Sequence, residues 1–329
     1  MNEPQHLYPW LSEPWKQIQS QIHQNRLPHA LLFVGVDGLG KHAFTDLLTQ
    51  SLLCFHRTEA GFACTQCRSC QLIKTGAHPD YRLISPEEKG KAIKIDQIRE
   101  LMATTNQTTQ LGGYKTIIID PAQAMNLSAA NALLKTLEEP SERTLFVLVT
   151  PYLSSVPATI RSRCQINYFV VPNQSVALDW LKQNTNNLSE TQLILLLTLA
   201  QGAPLKVLEL IEQDELTFRE TLFLSWQQFA QDQLSLVDLA ENWKEFDLER
   251  LLNHLISWIA DMIRIHTVNS VEIVNEDFSV PLYVMSRNIT TEKLYRFYDM
   301  LLQARQSLFS TVNLNQQLLI EWLLLTWIQ

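Results

Sequence analysis

The sequence predicts an α/β domain built on a doubly wound parallel sheet, followed by a region made almost wholly of helices. Three observations carry this. Eleven of the 13 prolines and eight of the 9 glycines lie within residues 1–172, whereas six of the 8 tryptophans lie at or beyond Trp180. Gly and Pro punctuate turns and strand-to-helix loops, so the first part is loop-rich and the second is not. Five short apolar runs in the first part alternate with helical patterns, as parallel strands joined by crossover helices do. The first of those runs enters a glycine loop of the phosphate-cradling kind. Such asymmetry excludes a repeat array, a β-sandwich or a single barrel over all 329 residues.

Taken in order, Trp15, Ile18 and Ile22 recur at helical spacing after Ser12, which predicts a helix over 13–24 with Ser12 as its N-cap. Ala30–Val34 is a buried strand. It ends in the segment 35–41, GVDGLGK, and Phe44, Leu47, Leu48 and Leu52 then open a helix. A second strand is expected over 81–84 and a helix over 95–102, opened by Asp96. Gly112 and Gly113 mark the turn before a strand over 116–119, which delivers Asp120, a suitable metal-side carboxylate of the degenerate nucleotide site. The helix 129–139 carries Leu133, Leu134 and Leu137 inward and stops at Pro140. Strands over 145–149 and 166–171 complete the sheet, and Pro172 marks the first boundary. Short helices over 176–181, 192–200 and 205–210 pivot on Gly202 and Pro204. Long amphipathic helices follow over 218–229, 248–265, 293–308 and 315–328, with 267–281 as the one long break.

At 46% apolar and 18% charged residues the chain has globular composition. Its net charge of −8, from 26 Lys+Arg against 34 Asp+Glu, argues against gripping nucleic acid unaided. Residues 1–15 contain no apolar core of a signal peptide, and the most apolar stretch, 318–328, is interrupted by Glu321. A cytoplasmic protein with no membrane segment is expected.

The glycine loop matches most of the phosphate-binding pattern: Gly35, Gly38 and Gly40 free the backbone N–H groups, and Lys41 is the residue that reaches phosphate. The pattern then fails twice. His42 stands where a Ser or Thr hydroxyl would ligand Mg²⁺, and Pro121 follows Asp120 where a water-orienting Glu is needed. Phosphoryl transfer rests on positioning and charge compensation, so the two losses together predict no hydrolysis by this chain. Two readings of the loop stay open: a degenerate site that still takes ATP, and an empty scaffold.

Cys64, Cys67 and Cys70 lie at two-residue gaps, and nine residues separate Cys54 from Cys64. Cys-x-x-Cys spacing lets both sulfurs reach one tetrahedral Zn²⁺, and four thiolates close its shell, which predicts a structural ion stapling an insertion over about 54–80. His56 or His78 could replace Cys54 as fourth ligand.

Segments 26–35 (RLPHALLFVG), 131–140 (NALLKTLEEP) and 162–164 (SRC), with the cysteine cluster and the opening YPWL of 8–11, resemble the clamp-loader AAA+ subunits of bacterial DNA polymerase III. The motifs cover residues 1–172; beyond them the resemblance is architectural. Within that family, a broken phosphate loop beside an intact Ser-Arg-Cys is similar to a member that does not hydrolyse ATP. The resemblance implies an α/β AAA+ P-loop domain (1–170) with a zinc-binding insertion, a small helical lid domain (171–211) and an all-helical collar domain (212–329). It implies a hetero-pentamer with gamma/tau and delta subunits that loads the sliding clamp on primed DNA, the clamp and DNA being met mainly through the complex. Arg163 becomes an arginine finger for a neighbour's ATP site, positioned by Ser162 and Cys164. Thr150 falls at the family's sensor-1 place, and Leu205, with Lys206 beside it, fills the sensor-2 place where an arginine is expected. Lys135, Glu138 and Glu139 are left available for a subunit interface. The alternatives are a self-sufficient AAA+ ATPase and an interaction module whose zinc insertion touches nucleic acid.

Overall fold

The computed structural model describes residues 7–88, 90–105, 109–111, 113–186, 188–267, 273–287, 289–308 and 315–328. Gly112 and residues 268–272 of the expected long break lie outside them. The chain divides into two units, Met1–Leu193 with Ala200–Leu208, and Ile194–Leu199 with Glu209–Gln329.

In the first unit a 3₁₀ turn, Pro9–Leu11, feeds directly into α1 (Ser12–His23). The expected Ser12 cap is therefore corrected. Leu11 holds the cap position without a side-chain bond, and Ser12 Oγ donates to Pro9 O at 2.8 Å. Then come β1 (Ala30–Val34), α2 (Lys41–Leu53), α3 (Arg68–Lys74), β2 (Tyr81–Ile84) and α4 (Ile95–Thr105). After them follow β3 (Lys115–Ile119), α5 (Leu127–Glu138), β4 (Thr144–Thr150), α6 (Ala158–Arg161), β5 (Gln165–Tyr168) and α7 (Gln174–Asn184). All pairings are parallel, in the order β2-β3-β4-β1-β5.

Successive side chains of β1 and β4 point to opposite faces, and both faces are covered. Leu31, Phe33, Leu145 and Val147 pack with Trp15 and Ile18 of α1 and Phe44 and Leu48 of α2. Leu32, Val34, Phe146 and Leu148 pack with Ile98 of α4 and Leu133 and Leu137 of α5. This double burial is why the strands read as continuous apolar runs. A fully buried side chain such as Phe33 contributes about 1.5–3 kcal/mol through the area it removes from water. β5 ends earlier than the 166–171 run suggests. Among the described residues it is an edge strand, and Val170 and Val171 pass beyond its neighbour, β1, into solvent.

α8 (Glu190–Leu199) and α9 (Pro204–Glu212) each divide between the units. The second unit continues with α10 (Glu215–Ala230), α11 (Leu236–Trp243), α12 (Leu248–Thr267), α13 (Ser279–Ser286), α14 (Thr291–Leu308) and α15 (Gln316–Ile328). Trp226, Trp243, Trp258 and Trp327 sit in one core with Leu255 and Ile259 of the α12 seam, which explains the tryptophan bias of this part. The expected break over 267–281 is shorter than the composition suggests. A 3₁₀ turn, Glu276–Phe278, leads straight into α13, and buried Asp261 accepts from the backbone N–H groups of Val274 and Asn275. Arg219, 2% exposed, pairs with Asp277 and donates to Asn275 Oδ1 at 2.7 Å. No single helix among the described residues is long and apolar enough to cross a membrane.

Candidate functional site

The phosphate loop joins β1 to α2 at the carboxyl edge of the sheet, where open α/β sheets bind ligands. Gly35 N–H donates to Thr150 O at 3.2 Å, which sets the loop beside the end of β4. Each glycine the pattern singles out is met closely by the chain itself. A Cβ at Gly35 would lie 2.5 Å from Phe169 O, and one at Gly38 (φ +83) 2.5 Å from Lys206 N. At Gly40 (φ +87) a Cβ would lie 2.7 Å from the Tyr8 ring. Leu205 N–H also donates to Gly38 O at 3.1 Å, so the residues at the sensor-2 place meet the loop through their backbone.

Lys41 is 2% exposed and donates to Gly35 O at 2.5 Å and Val36 O at 2.9 Å, with Asp37 at 3.3 Å. Burial pushes its ammonium below the ordinary lysine value, against the pull of Asp37 and Asp120. His42 pairs through Nδ1 with Asp120. That bond raises the imidazole above the ordinary histidine value, although partial burial opposes it. Asp120 thus already has a side-chain partner within the chain. The Thr150 hydroxyl bonds Ser155 Oγ at 2.9 Å and Tyr152 O at 3.2 Å, within its own turn.

An aromatic clasp at this loop was not visible in the motifs. Trp10 Nε1–H donates to Leu39 O at 2.9 Å, and its ring stacks on Tyr8 at 5.1 Å. Trp180 of α7 meets both rings edge-on at 5.7 and 5.3 Å. The two N-terminal aromatics could be seen in the sequence; their partner, about 170 residues away, could not.

The cysteine cluster assembles from the end of α2, the following loop and α3. Sγ–Sγ distances are 3.9 Å for Cys54–Cys67, 4.0 Å for Cys64–Cys70 and 3.5 Å for Cys67–Cys70. All four sulfurs lie within 4.8 Å of one another. A tetrahedral ion with bonds of about 2.3 Å needs sulfur separations of roughly 3.8 Å, so the donor set fits a metal. Backbone N–H groups of His56 and Cys64 point at Cys54 Sγ, at 3.4 and 3.2 Å, and stabilise thiolate charge there. His78 is engaged elsewhere: Nε2 with Ser69 Oγ at 3.0 Å, and Nδ1 accepting from Asp80 N–H at 3.1 Å.

The Ser-Arg-Cys segment follows α6, a helical turn that the expected turn over 154–157 leads into. Arg163 Nε donates to Glu138 Oε1 at 3.0 Å and Nη2 to the same oxygen, while Nη1 donates to Thr159 O at 2.8 Å and Ser162 Oγ at 3.2 Å. Ser162 therefore touches the guanidinium directly. Cys164 packs against the core, and burial pushes its thiol up to about 12, so it stays neutral.

Residues 10–173 match the family described as DNA polymerase III, delta subunit, and residues 213–329 its C-terminal counterpart. DNA polymerase III subunit delta' of Pseudomonas aeruginosa is 34% identical over 98% of this chain and 97% of its own. The chain belongs to the DNA polymerase III subunit delta' family. The delta' subunit of Escherichia coli is 32% identical over 97% of this chain and 94% of its own. Among solved structures, a DNA polymerase III gamma subunit-related protein of Thermotoga maritima covers 94% of this chain and 97% of its own, with 19% identity and a TM-score of 0.47. The chain has a parallel α/β sheet and a C-terminal helical region, and its four clustered cysteines can hold a metal ion.

Proposed function

We propose that this chain is a non-hydrolysing subunit of the DNA polymerase III clamp loader that helps load the sliding clamp on primed DNA. In this reading it completes a neighbouring gamma/tau subunit's ATP site with Arg163. The observation that carries it is the contrast between two cationic groups. Lys41 is engaged by its own loop carbonyls, with His42 on Asp120 and Tyr8 over Gly40. Arg163 instead stands on an edge turn with 31% of its side chain exposed, and its partner from outside that turn is the half-exposed carboxylate of Glu138. Hydrolysis needs a lysine on phosphate, a metal-side hydroxyl and a water-orienting acid. Here Lys41 is bound by its own loop, His42 stands at the hydroxyl's place and Pro121 at the acid's, which supports the reading.

We read residues 1–170 as the AAA+ domain, 171–211 as the lid and 212–329 as the collar, in a cytoplasmic hetero-pentamer with gamma/tau and delta. Exposed Val280, Tyr283 and Val284 on α13 and Trp322 and Leu325 on α15 offer the apolar surface such a collar needs. The ion at Cys54, Cys64, Cys67 and Cys70 is taken as Zn²⁺, since soft thiolates in a closed tetrahedral set select it. Its role is structural: it would fold the insertion and take no part in phosphoryl transfer.

Reconstitution with partner subunits tests the reading. The isolated chain should show no Mg-dependent ATPase. Arg163→Ala should cut hydrolysis at the site it serves by about 10³-fold or more, the worth of a trans finger. Unchanged loader ATPase in that variant would remove the finger role, and hydrolysis by the isolated chain that is lost in Lys41→Ala would favour a self-sufficient ATPase instead.

A further inference from the structure

We propose that Glu138 latches Arg163 in the free chain, and that the finger engages a neighbour's triphosphate by exchanging this carboxylate for phosphate oxygens. The proposal rests on the finger reading above. A guanidinium binds carboxylate or phosphate best along one fork edge, where two parallel N–H groups point the same way. In Arg163 the edge made by Nε and Nη2 is taken by Glu138 Oε1. The Nη1 contacts come from Thr159 and Ser162, four and one residues back in the chain, and move with the arginine. Glu138 belongs to a different element, the last residue of α5, so it alone among these partners ties the guanidinium to the rest of the unit.

Two further features fit a contact made to be broken. Glu138 places a negative charge at the C-terminal end of a helix, where the dipole disfavours it, and the arginine offsets that local cost. Both side chains are also partly solvated, at 31% and 51% exposure, so water can replace either partner as the exchange proceeds. A pair of this kind shifts an equilibrium by about two- to fivefold. While it holds, an approaching phosphate meets a neutralised arginine whose preferred edge is occupied.

The test uses the full-length chain and the reconstituted loader. In the isolated chain, the Nε–H proton of Arg163 should exchange slowly with solvent by ¹⁵N-arginine NMR. It should exchange faster in both Glu138→Ala and Glu138→Gln, the second variant keeping the side-chain shape. In the loader, Glu138→Ala should raise kcat/KM for ATP by about two- to fivefold, and Glu138→Ala/Arg163→Ala should match Arg163→Ala alone. Unchanged Nε–H exchange in both variants overturns the latch, as does a fall in kcat/KM, which would make Glu138 an orienting group. If Arg163→Ala itself leaves loader ATPase intact, the finger reading fails. If Arg163→Ala collapses activity while Glu138→Ala does not raise it, only the latch fails.

Discussion

Replacing Lys41 by Met separates a structural lysine from a phosphate ligand. The substitution keeps the buried methylenes and removes only the ammonium, which bonds Gly35 O at 2.5 Å and Val36 O at 2.9 Å. Each of these partly buried carbonyls, left without a donor, costs toward the lower end of about 1–3 kcal/mol. Relief of the ammonium's own desolvation, visible in its lowered pKa, offsets part of that. The net loss is on the order of 2 kcal/mol, about 30-fold in an opening equilibrium. Native-state hydrogen exchange at the β1 and β4 amides reads this directly, because it follows the α/β unit independently of the helical one. Protection there should fall by about that factor, with loader ATPase unchanged. If protection is unaltered and measurable ATP binding by the wild-type chain disappears, Lys41 is a phosphate ligand and the self-bonded loop has been misread.

Cys67→Ser should lower bound zinc from roughly one per chain to none and unfold the insertion, as loss of a structural ion does; elemental analysis with exchange at α3 amides checks both. Glu215 is buried against His254 and Arg250. Burial alone would push its carboxyl up, but these partners outweigh it and hold it below its ordinary value near 4.5. A carboxyl held low stabilises the folded state fully above its unfolded pKa and loses that contribution as pH falls through the folded one. The helical unit should therefore weaken below about pH 4.5, and Glu215→Gln should flatten that acid limb in pH-dependent unfolding.

Most of the fold was legible because burial on both sheet faces leaves an unmistakable record: Ala30–Val34 and Thr144–Thr150 are continuous apolar runs with one physical explanation. Elements whose stabilisation comes from outside themselves were harder. α3 is seven residues long and rests on the cysteine cluster. The turn that leads into α13 is held at Asn275 by Asp261 of the preceding helix and by Arg219, 56 residues back in the chain. α11 did carry a local signal, the N-cap Ser235 accepting from Asp238 N–H at 3.2 Å, to which long amphipathic periodicity is blind. In the candidate site the residue types were readable and their partners were not. Spacing brought the four cysteines together, but nothing local announces that Trp180 closes on Tyr8 or that Arg163 meets Glu138.

That difference decides how a degenerate motif should be read. Gly35, Gly38, Gly40 and Lys41 satisfy the same pattern whether the loop's closest neighbours are phosphate oxygens or protein atoms, because both demand absent side chains and one cation. Tyr8, Phe169 and Lys206 approach the three glycines so closely that Ala at Gly38 would be disfavoured twice, by φ +83 and by the Lys206 backbone 2.5 Å away. Selection for this packing would preserve the glycines without any nucleotide, so their survival says little about catalysis. Lys41 and Arg163 are more informative, because a cation has a limited set of donors. At Lys41 they are bound to groups beside it in the chain, and the loop has to open for them to be released. At Arg163 the Nε and Nη2 donors are held by a solvated carboxylate that another anion can displace, which is what the proposed finger at the edge turn, unlike the glycine loop, requires.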